Sequence, residues 1–260
     1  MVIDFHAHYP RQEGFLPKLL EELPRLGIDR ICLCSAGENF GHVSNREVRE
    51  SFELHPDRII GLGLVRLGID PPELVDECVS QGFRGIKTTN PTAPYDDPSF
   101  FRYYERMEHH GLPVLFHTGI VMRTPADREQ QVSSSKMRPI RLDAVARSFP
   151  GMNLVAAHLG VPWYEEASML ARMHPNFYVD LTGAWWGGWR VNKGPDFYRY
   201  HFFWPDAWSK VVFGTDILRV EELEPSKLFH DRMLEPLGLD QKVLDMIYGG
   251  TAARLLKLGA

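Results

Sequence analysis

Eight short apolar runs, rich in β-branched residues, alternate along the chain with longer segments of helical spacing. Near-continuous apolar runs are typical of strands buried on both faces of a parallel sheet. Eight such units in 260 residues fit a (β/α)8 barrel better than an open sheet. We therefore predict an α/β protein with one TIM-like barrel domain spanning residues 1–260. The runs are VIDFHAH, RICLCSA, IIGLGLVRL, GIKTT, PVLFHTG, NLVAAHLG, FYVDLTG and VVFGTDI.

The segments between these runs differ in how clearly they predict helices. PPELVDECVSQG carries proline at its start and glycine at its stop, as helices often do. FLPKLLEELPRLG is weaker, because Pro17 and Pro24 are expected to cut that helix short. Two connections, 120–137 and 184–209, are long enough to suggest a functional or mobile loop.

Charge and cysteine content limit which partners the protein is expected to bind and in which cellular compartment it is expected to work. The net charge of −5 is spread without a basic stripe, which argues against nucleic acid and anionic membranes as partners. Three cysteines do not form a disulfide framework, and Cys32 and Cys34 are interpreted as small core residues. No run approaches the roughly 18 apolar residues of a membrane span, and the start lacks a signal-peptide pattern. A cytoplasmic protein is expected.

Polar side chains interrupt the apolar runs where strands give way to loops. His6 and His8 are two residues apart, so on a strand they point to the same face and could chelate a divalent cation. His117, His158 and Asp216 follow three other runs directly. Core or solvated histidines and a capping role for Asp216 are the alternatives for each residue alone. Barrel enzymes place their active sites at this end of the strands, which favours a shared site.

These motifs carry a family resemblance. DFHAH, FHTG, AHLG and GTD resemble the amidohydrolase superfamily, and more closely its amidohydrolase-2 branch, which also contains decarboxylases of the aminocarboxymuconate-semialdehyde and resorcylate types. HPDRIIGLGLV, GFRGIK, PNFYVDLTG and YGGTAARLL are similar to that branch as well. The resemblance implies a distorted (β/α)8 barrel with one divalent metal ion, most often zinc, with manganese or iron as alternatives. A homodimer is expected at the level of the family only.

Carried over position by position, the resemblance makes His6, His8, His117 and Asp216 the metal-site residues. Asp216 would double as general base, and His158 would act as an electrophile or proton shuttle. Asp4 and Asp180 are interpreted as hydrogen-bonded supports for this site. The remaining histidines, on loops and helix ends, are expected to be solvated or capping; they are His42, His55, His109, His110, His174, His201 and His230.

Several further residues are candidates for binding the substrate. Lys87 lies on the predicted fourth strand, where binuclear superfamily members carry a carbamylated lysine. With a mononuclear site, a free amine that binds a substrate carboxylate or pairs with an acidic residue is favoured. Arg123 and Arg190, on the two long connections, could hold an acidic substrate, although arginines are more often solvated. Trp185 and Trp186 are interpreted as pocket or lid residues, with a subunit contact as the alternative.

Two reactions on a small-molecule substrate are compatible with such a site. The first is hydrolysis of a C–O or C–N bond, in a lactone, ester or amide, by a metal-activated water. The second is decarboxylation or hydration of an aromatic or unsaturated acid. The decarboxylases of the branch often have an acidic residue after the sixth-strand glycine, where this chain has Val161. A purely structural metal is disfavoured, because structural zinc sites are closed and usually contain cysteine.

Overall fold

A computed structural model describes residues 1–183 and 193–259 of the chain. Eight parallel strands form one sheet in which each strand pairs with the next along the chain. The predicted TIM-like barrel is therefore confirmed, and it forms a single domain. The strands are β1 (Ile3–His8), β2 (Arg30–Cys34), β3 (Ile59–Leu64), β4 (Gly85–Thr88), β5 (Pro113–Phe116), β6 (Asn153–Ala156), β7 (Phe177–Asp180) and β8 (Val211–Val212).

Helices follow the strands and surround the sheet. In the described part of the chain, no helix is both long enough and apolar enough to cross a membrane. A π-helical turn, Met246–Gly250, lies between the last two helices. The α-helices are α1 (Phe15–Arg25), α2 (Asn45–Leu54), α3 (Leu74–Ser80), α4 (Phe101–His110), α5 (Leu142–Ser148), α6 (Tyr164–Met173), α7 (Pro195–His201), α8 (Leu223–Leu234), α9 (Gln241–Asp245) and α10 (Thr251–Leu255).

The first and last strands meet through backbone hydrogen bonds that extend beyond the two residues of β8. The amide of Phe5 donates to the carbonyl of Phe213 over 2.9 Å. The amides of Thr215 and Asp216 both donate to the carbonyl of His6, over 3.1 and 2.6 Å. These bonds join the segment after β8 to β1, so the sheet closes around its interior.

Apolar side chains fill the barrel interior, and a helix covers its lower end. Cys32 and Cys34 lie in this interior cluster, fully buried and free of disulfides, as predicted for small core residues. Ala252 and Leu255 of α10 belong to the same cluster. Gly249 approaches the start of β1 so closely that an added Cβ would lie 2.0 Å from the carbonyl oxygen of Met1. Glycine at this position lets the closing helices seal the bottom of the barrel.

Helix α1 is longer than its prolines suggested. It runs through both Pro17 and Pro24, so the expectation that they cut it short is wrong. Pro17 is the third residue, where a backbone N–H has no acceptor within the helix, and Pro24 is one residue from the end. Phe15, Leu19 and Leu23 form a buried stripe at helical spacing, and this packing stabilises the helix.

Strand β1 contains an irregularity that matters for the site. Its register against β2 shifts between Asp4 and Ala7, so Phe5 and His6 together stand opposite Cys32. An extra residue of this kind re-aims the side chains that follow it. Phe5 packs into the interior cluster, and His6 turns to the site above it.

Candidate active site

Three side chains from opposite ends of the chain meet above the barrel interior. Nε2 of His6 lies 3.3 Å from Nε2 of His8, and Oδ1 of Asp216 lies 3.2 and 3.1 Å from these two atoms. Both imidazoles are buried, whereas the Asp216 side chain keeps 23% of its surface exposed. The cluster is thus sealed from below and open on the side of the carboxylate.

The other ring nitrogens of the two histidines are also engaged. Nδ1 of His6 lies 2.9 Å from Oδ2 of Asp180, which accepts its hydrogen. Nδ1 of His8 lies 3.5 Å from Sγ of Cys34. An acceptor at Nδ1 holds the hydrogen there and leaves the lone pair on Nε2, the atom that faces the cluster.

Burial keeps these imidazoles neutral at physiological pH. Loss of hydration, reinforced by the nearby Lys87, lowers the pKa of His8 and His117 to about 3. The same loss of hydration lowers the pKa of His6 and His158 well below the usual value. Neutral imidazole is the form that binds a metal ion, so the buried rings are already in a ligating state.

A relay of hydrogen bonds fixes the hydrogens of the remaining two site histidines. Thr182 donates its hydroxyl hydrogen to Oδ1 of Asp180 over 2.6 Å, so its oxygen accepts from Nδ1 of His158, 2.7 Å away. Nε2 of His158 then carries a lone pair that accepts from Nδ1 of His117 over 3.2 Å. Nε2 of His117 is left with a lone pair, buried and without a hydrogen-bond partner among the described residues.

His158 and Asp216 have left-handed backbone conformations, with φ of 62° and 57°. Such conformations cost non-glycine residues free energy and concentrate at functional sites. The hydrogen bond from the Asp216 amide to the His6 carbonyl stabilises this conformation at Asp216. At His158, the amide donates to Oδ1 of Asp180 over 2.8 Å. The supporting role expected for Asp180 agrees with these contacts.

Asp4 supports the site from the first strand. Its Oδ1 accepts the amides of His6 and Thr215, over 3.1 and 3.0 Å, and its Oδ2 accepts the Thr215 hydroxyl over 2.5 Å. The fully buried carboxylate therefore links the strand that bears the histidine pair to the loop that bears Asp216.

Lys87 enters the cluster from β4. Its side chain is 1% exposed, and Nζ lies 3.3 Å from Nε2 of His6. Burial lowers the pKa of this amine, against the attraction of neighbouring acidic groups. An ammonium at this position would repel a cation, so a neutral amine, or an amine paired with a substrate anion, suits a metal site better.

A cavity lies directly over the cluster. Its walls include His8, Lys87, His117, His158 and Asp216, the residues singled out from the sequence, together with aromatic and apolar side chains from the loops. Arg123 does not join them, because its side chain is 98% exposed near Asp127. Trp185, Trp186 and Arg190 lie outside the described residues, so their roles stay predictions.

One wall residue was missed by sequence reasoning. His42, in the loop after β2, is 3% exposed and lines the cavity, with its ring 4.8 Å from that of His8. The expectation of solvated or capping histidines is also wrong for His201 and His230, which are buried, whereas His174 is buried but occupies the C-cap of α6. Nothing in the local sequence of His42 resembles a strand end, and so no sequence signal marked it.

The donor set fits a divalent cation. Ligand atoms about 2.0–2.1 Å from a four-coordinate ion are about 3.3 Å apart, close to the 3.1–3.3 Å separations between His6, His8 and Asp216. His117 does not belong to this group, whose ligand atoms lie within 4.8 Å of one another. Its buried Nε2 has no hydrogen-bond partner among the described residues, so it could serve as a further ligand. Two or three imidazoles with one carboxylate are a ligand set suited to zinc, manganese or iron.

Together, the fold and the site define a (β/α)8 barrel with a histidine–carboxylate cluster at the carboxyl ends of its strands. The amidohydrolase family model Amidohydro_2 matches residues 3–258, so the chain belongs to the amidohydrolase family. The resemblance stated from the motifs is thereby confirmed. No curated protein matches the sequence at a significant level.

Solved structures share this fold over nearly their whole length. An uncharacterized TIM-barrel protein from Bordetella bronchiseptica is 21% identical, with a TM-score of 0.75 and 98% of each chain covered. A probable 2-pyrone-4,6-dicarboxylic acid hydrolase from Acinetobacter baumannii is 15% identical, with a TM-score of 0.72 and 99% of each chain covered. The 5-carboxyvanillate decarboxylase from Sphingomonas paucimobilis is 16% identical, with a TM-score of 0.68 and 99% of each chain covered. At these identities the likeness concerns the fold.

Proposed function

We propose that this protein is a metal-dependent hydrolase that cleaves a C–O or C–N bond, in a lactone, ester or amide, of a small acidic molecule. The observation that carries this proposal is the convergence of His6, His8 and Asp216 beneath an accessible cavity. An open site at the mouth of a barrel distinguishes a catalytic metal centre from a closed structural one.

The cation would be held by Nε2 of His6 and His8, by Nε2 of His117 and by Asp216, with zinc favoured by the nitrogen-rich donor set. When bound, a cation of this kind supplies the Lewis acidity that makes water a competent nucleophile near neutral pH. Neutral imidazoles need not lose a proton to bind it, because burial has already lowered their pKa. Asp180 and Cys34 would keep the two first-strand rings in the orientation that binding requires.

The proton of the attacking water would pass first to Asp216. Its Oδ1 faces the two imidazoles, and its Oδ2 lies 3.7 Å from Nδ1 of His158. A carboxylate in this position can orient the water and take its proton. Asp216 would then return this proton to the leaving group. The electrophile role suits His158 better than the shuttle role, because its Nδ1 already carries the hydrogen that it donates to Thr182.

Lys87 would bind a carboxylate of the substrate within the cavity. An anion beside Nζ would favour the charged amine, whose pKa is lowered by burial in the free protein. The position of the Lys87 amine on the cavity wall is the reason for proposing an acidic substrate. Trp185, Trp186 and Arg190 would add contacts from the loop after β7.

The second candidate function is decarboxylation or hydration of an unsaturated acid on the same site. This alternative is supported by proteins of similar fold, which include the 5-carboxyvanillate decarboxylase and a 4-oxalomesaconate hydratase. Val161, which stands where the decarboxylases often carry an acidic residue, favours hydrolysis.

A substrate panel tests the proposal. We would incubate the zinc-, manganese- and iron-loaded protein with lactones, esters, amides and aromatic acids, including 2-pyrone-4,6-dicarboxylate and 5-carboxyvanillate, and measure acid release against CO2 release. Acid release without CO2 supports the hydrolase. CO2 release, or loss of a double bond with neither product, supports the second candidate. For the active compound, Asp216→Asn and His117→Ala should lower kcat/KM by about 10²–10⁴-fold with an unchanged circular dichroism spectrum. Full activity in these variants would refute the assigned roles, and His109→Ala on α4 is the exposed-histidine control.

A further inference from the structure

His42 is held in place by the loops around it. Its Nδ1 accepts the amide hydrogen of Ala36 over 2.9 Å. On either side of it, the amide of Val43 donates to the Tyr9 carbonyl over 3.1 Å, and the amide of Arg11 donates to the Gly41 carbonyl over 2.8 Å. These bonds tie the loop after β2 to the loop after β1, and the ring between them has little freedom to turn.

The hydrogen bond from Ala36 also fixes where the His42 ring carries its hydrogen. A nitrogen that accepts an amide hydrogen must present a lone pair, so the ring is neutral and its hydrogen is on Nε2. Nε2 has no hydrogen-bond partner in the residues that the structure describes, although the ring is 3% exposed and lines the cavity. A donor in this position is available to a molecule that enters the cavity.

A second cavity lies next to the first one. It has a volume of about 340 Å³, and it shares Ala36, Phe40 and Thr89 with the cavity over the metal site. Its polar lining includes Asn45, Arg66 and Asn90, of which Arg66 is paired with Asp70. The two cavities are neighbours that share these wall residues, and His42 lines the one over the metal site.

We propose that His42 donates a hydrogen bond from Nε2 to a carbonyl or carboxylate oxygen of the substrate and so directs the part remote from the reacting bond into the second cavity. The proposal rests on the hydrolase function above and adds a determinant of specificity to it. Substrates would need an oxygen acceptor between the reacting bond and a polar extension. The reaction itself would still depend on Asp216 and the metal site.

Two substitutions separate the anchor of His42 from its donor. In His42→Asn the side-chain oxygen can still accept from Ala36, but no donor reaches the position of Nε2. In His42→Gln the amide nitrogen reaches that position. For a panel substrate with the acceptor oxygen, we expect His42→Asn to raise KM about 3–10-fold with a smaller effect on kcat, and His42→Gln to restore most of the loss. An analogue without that oxygen should show no such difference, and His109→Asn serves as the control.

A measurement on the protein without substrate shows, independently of activity, whether the hydrogen of His42 is on Nε2. Nitrogen-15 spectra of the imidazoles should show the hydrogen of His42 on Nε2 and a bare Nδ1, a pattern that His42→Gln removes from the spectrum and so assigns. A hydrogen on Nδ1 would overturn the proposal, as would equal KM values for wild type and His42→Asn with unchanged metal content. If no panel compound reacts, the proposed function fails, and the spectrum still decides whether His42 offers its donor.

Discussion

Nδ1 of His6 lies 2.9 Å from Oδ2 of Asp180, and neither side chain has any exposed surface. The same carboxylate accepts the amide of His158 and the amide and hydroxyl of Thr182 through Oδ1. One buried acid at the end of β7 therefore orients a ring of β1 and fixes the backbone after β6. Asp180 thereby links β1, β6 and β7 beside the cluster of His6, His8 and Asp216, to which it does not itself belong.

Asp180→Asn should weaken metal binding. The amide that replaces the carboxylate cannot accept all four hydrogens, and its own hydrogens would face Nδ1 of His6 or the Thr182 hydroxyl. Loss of such an outer partner typically costs about 10–100-fold in metal affinity. Competition with a chelator measures the affinity, and Asp196→Asn is the control because its side chain is 95% exposed. Equal affinities for the two variants would show that His6 is oriented without Asp180.

Lys87→Met should leave the number of bound metal ions at about one per chain. Since the variant removes a potential positive charge 3.3 Å from Nε2 of His6, metal affinity should stay equal or rise, and KM for an acidic substrate should rise. Elemental analysis with a chelator titration measures both metal properties. Two ions in the wild type and fewer in the variant would instead indicate a carbamylated Lys87 that bridges a second metal.

Thr215→Val should destabilise the closure of the barrel. The variant removes the hydroxyl that donates to Oδ2 of Asp4, and the buried carboxylate oxygen is left unsatisfied. We expect the free energy of unfolding to fall by about 1–3 kcal/mol, measured by denaturant titration of the metal-free protein. Thr215→Ser keeps the hydroxyl and should lose clearly less. Equal losses in the two variants would show that the hydrogen bond to Asp4 adds nothing beyond the side-chain packing that both substitutions disturb.

Lys210 should make folding stability depend on pH in the alkaline range. Its Nζ donates to the carbonyls of His174 and Pro175, and burial, reinforced by the nearby Arg254, lowers the pKa of the amine to about 8. Because the unfolded chain then binds more protons between about pH 8 and the usual lysine value near 10.4, this group makes stability rise with pH across that window.

The test compares pH profiles of stability for the wild type and Lys210→Met. The difference between the two free energies of unfolding should increase from about pH 8 to about pH 10.4 in favour of the wild type. Tyr178, whose ring lies 4.9 Å from the Lys210 amine, is kept in both proteins. Lys242→Met, at an exposed position, should show a flat difference. A flat difference for Lys210→Met as well would mean that the amine titrates normally in the folded protein.

The barrel and most residues of the candidate metal site could be predicted from local sequence patterns. Apolar runs mark buried parallel strands, and a polar residue at the end of such a run has little to gain from the core. His6, His8 and Asp216 do converge, although the roles assigned to them stay predictions. His117 was placed beside them by its position after β5, yet in the structure it contacts His158 and lies outside the closest group.

Features that depend on contacts between distant segments could not be predicted. The left-handed conformations of His158 and Asp216 follow from hydrogen bonds to Asp180 and His6, which no local pattern encodes. His42 comes from a loop without a strand signal and reaches the cavity because that loop is tied to the one after β1. The length of α1 was underestimated because packing of its buried stripe outweighs the prolines.

The closure of the barrel also has a consequence for synthesis of the protein. His6 is synthesised about 200 residues before Thr215 and Asp216, whose amides donate to its carbonyl. In a nascent chain, β1 therefore lacks its partner on one side until the segment after β8 has been made. Products truncated before β8 would expose that strand edge, which can pair with another chain, and would lack the carboxylate of the cluster.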